Sequence, residues 1–247
     1  GRESDSGKAR SDYEEIVLRG TKAGAPQGRA QLAATAKLEL AKIYVRDGQA
    51  ALQGQTTAAS LGSAIDSFQK ALGVDPAALD ARMGLGRAYL AMADSTPAGQ
   101  RENYAAAAET YGAAATMATQ SGLVKEQAAA REGRGQALLA QSRIAASANG
   151  ADAPGLLQQA IAEYKTSAGL EPNNAERQLT LARALDRAGQ FDQADKAFEA
   201  AIKQLPTDTS LTSAALMEHA AVKGKLPKVN LQDVRYTLER AKAGNRQ

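Results

Sequence analysis

The chain has 247 residues, a formal net charge of +3 and neither cysteine nor tryptophan. Disulfides and cysteine-ligated zinc are therefore excluded. The 30 basic and 27 acidic side chains are interspersed, without the dense basic tract and interleaved aromatics of a nucleic-acid surface.

Roughly a fifth of the residues are alanine, and aromatics make up only 4%. Alanine favours helix and lets helices approach closely, so the composition predicts an all-α chain rather than a sheet. No apolar run approaches the ~20 residues needed to span a bilayer.

The polar opening, residues 1–7, reads as a disordered tether. Gly1 stands where a start methionine would, which leaves room for a signal peptide or a lipid-carrying leader ahead of it. A leading helix follows over 8–23, with Tyr13 and Ile16 on its apolar side. Ala30–Arg46 then carries Leu40-Ala41 and Tyr44, and the next helical stretch carries Ala64, Phe68, Ala71 and Pro76. Asp80–Ala93 holds Leu85-Gly86 and Tyr89, followed by Ala107, Tyr111 and Ala114.

Lys125–Ile144 holds Gly135 and Leu138, followed by Ala160, Tyr164, Ser167 and Pro172. Ala175–Arg187 holds Leu181-Ala182 and Leu185. The turn Ala188-Gly189-Gln190 leads into Phe191–Gln204, with Ala194, Phe198, Ala201 and Pro206. Leu211–Val222 and Leu231–Ala243 form a last, degenerate pair, with Asn230 as the expected N-cap and Asp233 in the first turn.

Ala160, Tyr164 and Pro172 return as Ala194, Phe198 and Pro206, each 34 positions on. With the paired small and bulky residues of the first helix, this resembles the tetratricopeptide repeat family over about nine tenths of the chain. Gln178 departs from the pattern, where a tryptophan is common. The resemblance implies an all-α solenoid, a right-handed superhelix of antiparallel helix pairs A and B. It is drawn as one domain over 8–247, with repeats at about 30–76, 79–120, 123–173, 175–208 and 209–243.

In the compact unit the A-helix Leu185 and the B-helix Ala194 lie 9 apart, whereas Tyr44–Ala64, Tyr89–Ala107 and Leu138–Ala160 are 20, 18 and 22 apart. The inserts all fall at the A–B turn and are rich in Ala, Gln, Ser and Thr, so they are expected to lengthen helices into a ridge along one edge. Thr96-Pro97 and Asp152-Ala153-Pro154 read as helix starts with a capping side chain and an early proline.

Nothing in the sequence points to catalysis, a cofactor or a metal. Gly84-Leu85-Gly86 and Gly133-Arg134-Gly135 lack the strand and the full motif of a phosphate loop, and sit where helix A needs a small residue. His219, the single histidine, has no nucleophile or acidic pair near it in sequence, and is expected to pack. Glu14-Glu15 and Glu171 read as ordinary surface acids.

Carried over residue by residue, the family's groove positions fall at Leu38, Lys42 and Arg46, then Met83, Arg87 and Leu90. Glu132, Gln136 and Leu139 follow, then Leu179, Arg183 and Arg187. A basic row (Lys42, Arg87, Gln136, Arg183) above an apolar one (Leu38, Met83, Leu179) suits an acidic or amphipathic peptide. The same charges read equally as a solvated helix face.

The lysine and asparagine set by which some relatives clamp chaperone tails is not matched. The basic stretch Lys223, Lys225, Lys228, Arg235, Arg240, Lys242 could meet an anionic membrane, or could simply complement a helix C-terminus.

The expected function is a non-enzymatic protein-binding scaffold without cofactors. It resembles bacterial tetratricopeptide lipoproteins of the periplasm or outer membrane that serve pilus, secretion or exopolysaccharide assembly. The alternative is a cytoplasmic adaptor or self-assembling scaffold. Membrane attachment would come only through a lipid anchor outside this chain.

Overall fold

The computed structural model describes residues 2–22, 26–54, 57–206, 210–228 and 230–244. Among these residues there are eleven helices and no strand. They are α1 (Arg2–Gly20), α2 (Gln27–Gln53), α3 (Ala58–Val74), α4 (Leu79–Ser95), α5 (Gln100–Gln120), α6 (Val124–Ser147), α7 (Ala153–Leu170), α8 (Ala175–Arg187), α9 (Phe191–Gln204), α10 (Ser210–Lys223) and α11 (Leu231–Gly244). Short turns reverse the chain, so each A helix lies against its own B helix: α2 on α3, α4 on α5, α6 on α7, α8 on α9, and α10 on α11.

Local chemistry sets the ends. Thr57 and Ser60 cap α3 reciprocally: Thr57 Oγ1 accepts from the Ser60 amide at 3.2 Å, and Ser60 Oγ accepts from the Thr57 amide at 3.0 Å. Asn174 caps α8 through the Arg177 amide at 3.3 Å, and Asn230 accepts from the Gln232 amide at 3.1 Å at the start of α11. Between α8 and α9 the turn closes on Gly189 at φ +71°, a left-handed conformation that favours glycine.

The inserts lengthen helices. The stretched pairs have helices of 27 and 17, 17 and 21, and 24 and 18 residues, against 13 and 14 for α8 and α9. Residues 55 and 56 lie outside the described residues.

Three expectations are corrected. Thr96-Pro97 does not open a helix: Thr96 closes α4, and α5 starts at Gln100 behind Gly99, whose φ of +71° makes the turn. Asp152 stands before α7 with Pro154 in its first turn, but without a side-chain cap bond, because its own backbone is helical (φ −81°, ψ −13°) rather than extended. The tether expected over 1–7 belongs instead to α1 from Arg2. That segment has no proline, and apart from Gly7 its residues have ordinary helix propensity.

Packing also divides the chain. Where the sequence suggests one domain, the helices gather into two compact units, Gly1–Ser121 and Gly122–Gln247. Repeats touch only their neighbours, so a repeat array can divide between any two of them.

Within both units the core is built on buried B-helix aromatics, and glycines on the A helices make room for three of them. Phe68, Tyr111, Tyr164 and Phe198 are 0, 3, 3 and 1% exposed. A Cβ at Gly84 would overlap the Phe68 ring. One at Gly86 would lie 2.9 Å from Tyr111, and one at Gly135 2.7 Å from Tyr164. Each helical glycine costs about 1 kcal/mol against alanine. Burying a ring of 150 Å² or more returns roughly 4 kcal/mol, so the exchange favours glycine here.

Candidate partner-binding surface

The A helices place their outer residues by phase. In the first unit, Leu38 on α2 is 52% exposed. Lys42 is open but held by Glu39 at 2.7 Å, one turn back. Arg46 lies 3.7 Å from Asp47, which Arg10 of α1 also approaches at 3.7 Å. On α4, Met83 is half-buried and Arg87 exposed, with no carboxylate in salt-bridge range of Arg87 among the described residues. Leu90 is buried and leaves the expected groove set.

In the second unit Gln136 and Arg187 are exposed, and Leu139 and Glu132 are half-buried. Leu179 is only 1% exposed. It is a core residue and not a ligand contact, because α8 buries that side of its apolar face. Arg183 is on the surface, but its guanidinium forks onto Glu218 of α10 at 2.7 and 3.0 Å.

The basic row is thus two local sets: Lys42 and Arg87 in one unit, Gln136 and Arg183 in the other. Two of its three cations are already paired.

Sequence reasoning missed the part-buried ionic joints within and between repeats. Arg177 on α8 donates to Glu132 of α6, to Glu171 at 2.8 Å and to Ser167 Oγ at 3.0 Å. Burial pushes the Glu132 carboxyl above its usual range, and the Arg177 charge pulls it partly back. On α7, Glu163 is 8% exposed and accepts from Arg131 at 3.0 Å and Arg134 at 2.9 Å. A buried acid immediately before Tyr164 was the available signal.

His219 does have acidic company. Its Nε2 lies 2.7 Å from Asp195, its ring stacks on Phe198 at 5.8 Å, and Asp195, Glu199 and His219 put donor atoms within 4.8 Å of one another. The acids sit on α9, twenty or more residues before the histidine, where spacing within one helix cannot reveal them. Lys223 stands 3.6 Å from both carboxylates, so an ammonium already supplies the counter-charge a metal would bring. Burial holds the His219 imidazole below its usual range despite Asp195.

Beside this cluster is a cavity of about 380 Å³, lined among others by Leu216, Lys223, Tyr236 and Arg240.

Two segments, residues 58–92 and 153–216, match family models described as tetratricopeptide repeat. The chain carries tetratricopeptide repeats. No curated relative matches it by sequence.

Solved structures share the tetratricopeptide fold. MamA 41-end from Desulfovibrio magneticus RS-1 has TM-score 0.59 and 14% identity, covering 83% of this chain and 93% of that one. YrrB, described as a TPR protein with an unusual peptide-binding site, has TM-score 0.51 and 18% identity over 87% and 93%. TTC0263, a thermophilic TPR protein from Thermus thermophilus, has TM-score 0.50 and 20% identity over 82% and 99%. No helix of the described residues is long and apolar enough to cross a membrane.

Proposed function

We propose that this chain is a non-enzymatic scaffold that holds a segment of a partner polypeptide on the outer faces of its A helices. One observation carries the reading. In the first unit, α2 and α4 bury their small residues against the Phe68 and Tyr111 rings and leave Leu38, Met83 and Arg87 at least partly accessible. A partner with acidic and apolar side chains would complement Arg87 and Leu38.

The proposed setting is assembly of a bacterial envelope machine, in the periplasm or at the outer membrane. A cytoplasmic adaptor or self-assembling scaffold is the second reading. Fractionation of the native host decides between the compartments.

A pull-down from that host, comparing wild type with the double variant Leu38→Glu and Arg87→Glu, tests the surface. Loss of specific partners, with unchanged folding, supports it. An unchanged set of partners rejects it.

A further inference from the structure

Helices α9 and α10 meet through two pairs of side chains, each pair spaced one turn apart. Asp195 and Glu199 stand at i and i+4 on α9, and His219 and Lys223 at i and i+4 on α10. Each pair therefore shares one helix face. One donor atom from each of Asp195, Glu199 and His219 lies within 4.8 Å of the other two.

Lys223 answers this set incompletely. Its ammonium stands 3.6 Å from both carboxylates, too far for a hydrogen bond to either. It brings one positive charge to two carboxylates, so one negative charge is left uncompensated. A divalent ion would neutralise both.

The donors narrow the choice of ion. Calcium and magnesium take oxygen ligands, and Cu(I) favours sulfur, whereas one imidazole with two carboxylates suits Zn2+ and its neighbours. Bonds of about 2.0–2.2 Å set tetrahedral donors roughly 3.3 Å apart. The 2.7 Å pair of His219 Nε2 and Asp195 Oδ1 then opens slightly. The Glu199 carboxylate moves in, which its 58% exposed side chain permits.

The neighbouring cavity of about 380 Å³ is lined by Glu199, His219 and Lys223. It has room for a displaced ammonium and for water as a fourth ligand. Lys203 and Arg240 line it too and repel a cation, so the affinity falls short of a thiolate site.

We infer that Asp195, Glu199 and His219 bind one divalent ion of the zinc class, which displaces Lys223 and clasps α9 to α10. The site is separate from the A-helix faces proposed above.

The test is calorimetric titration of the whole chain, stripped of metal, with zinc chloride alone. One ion per chain is expected. Asp195→Asn and Glu199→Gln should each weaken binding more than about tenfold, since even residues behind a ligand are worth that much. Lys223→Met, which keeps the stem and loses the charge, should tighten it roughly tenfold. Zn2+ should raise the thermal midpoint of wild type and leave that of Glu199→Gln unmoved. His219→Gln should abolish binding. The two acid variants decide if circular dichroism shows His219→Gln unfolded.

Absence of binding up to millimolar Zn2+ overturns the inference. Binding that the acid variants or a folded His219→Gln leave undiminished assigns the ion to other surface groups and overturns it too. So does a Lys223→Met chain that binds no more tightly than wild type.

Discussion

Two junctions bury an aromatic in different ways. At the α3–α4 junction Phe68 meets glycine, with Gly48 and Gly84 both against its ring. At the α9–α10 junction Phe198 meets a second ring, His219, held by Asp195 within a cluster that also includes Glu199 and Lys223. The first is a steric fit of ring against helix backbone. The second adds charge to the same job, so its strength should depend on pH as well as shape. Repeats of one fold can therefore differ in what disturbs them.

The largest expected effect is removal of either ring. Phe68→Ala and Phe198→Ala should each cost about 3–5 kcal/mol, read by urea unfolding. Phe68 should lie at the upper end, because helix backbone at two glycines cannot collapse into the space as a side chain can. Equal losses would mean that the covering group does not matter.

Next comes Gly84→Ala, expected to destabilise by about 1–3 kcal/mol because the new methyl overlaps the Phe68 ring. Gly73→Ala is its control. Nothing lies within 4 Å of a Cβ there, so helix propensity should stabilise it by up to about 1 kcal/mol. A neutral Gly84→Ala would show that the junction gives way.

A pH effect should separate the junctions further. The folded-state pKa of His219 is lowered by burial. The neutral ring's contribution is thus fully present above the unfolded value near 6.5. It is lost as pH falls from there through the folded value. Thermal midpoints of wild type should decline more between about pH 7 and pH 5 than those of His219→Gln. Parallel declines would remove His219 from the account.

The smallest effect belongs to Arg87→Glu, within about ±0.5 kcal/mol, since exposed surface changes rarely cost more.

The repeat pattern made much of the packing legible. Ala and aromatic positions on the B helices, glycines on the A helices and the lengthened inserts all follow from helical phase within one segment. Helix phase also placed Arg183 at the surface, but could not show Glu218, 35 residues away, waiting for its guanidinium. The same limit hid the acids around His219 and the Arg177 network, which depend on what a neighbouring repeat presents. Leu179 was misplaced because an apolar residue near the edge of a groove face lies only a fraction of a turn from the core. Proline misled at Pro97, where a turn precedes the helix and glycine, not proline, starts it.

One contact in the first unit has a kinetic meaning. Tyr44 on α2 donates its hydroxyl proton to Glu14 of α1 at 2.6 Å, and burial with this bond pushes the phenol up to about 12. Helix α1 otherwise reaches the core cluster through the partly buried Tyr13 and Val17. Helix α1 packs mainly on one neighbour, α2, and such a helix can open while the rest stays folded. Its amide hydrogens should then exchange with solvent as one early group, ahead of those in α3 and α4, with the Tyr44 hydroxyl setting how often that door unlatches.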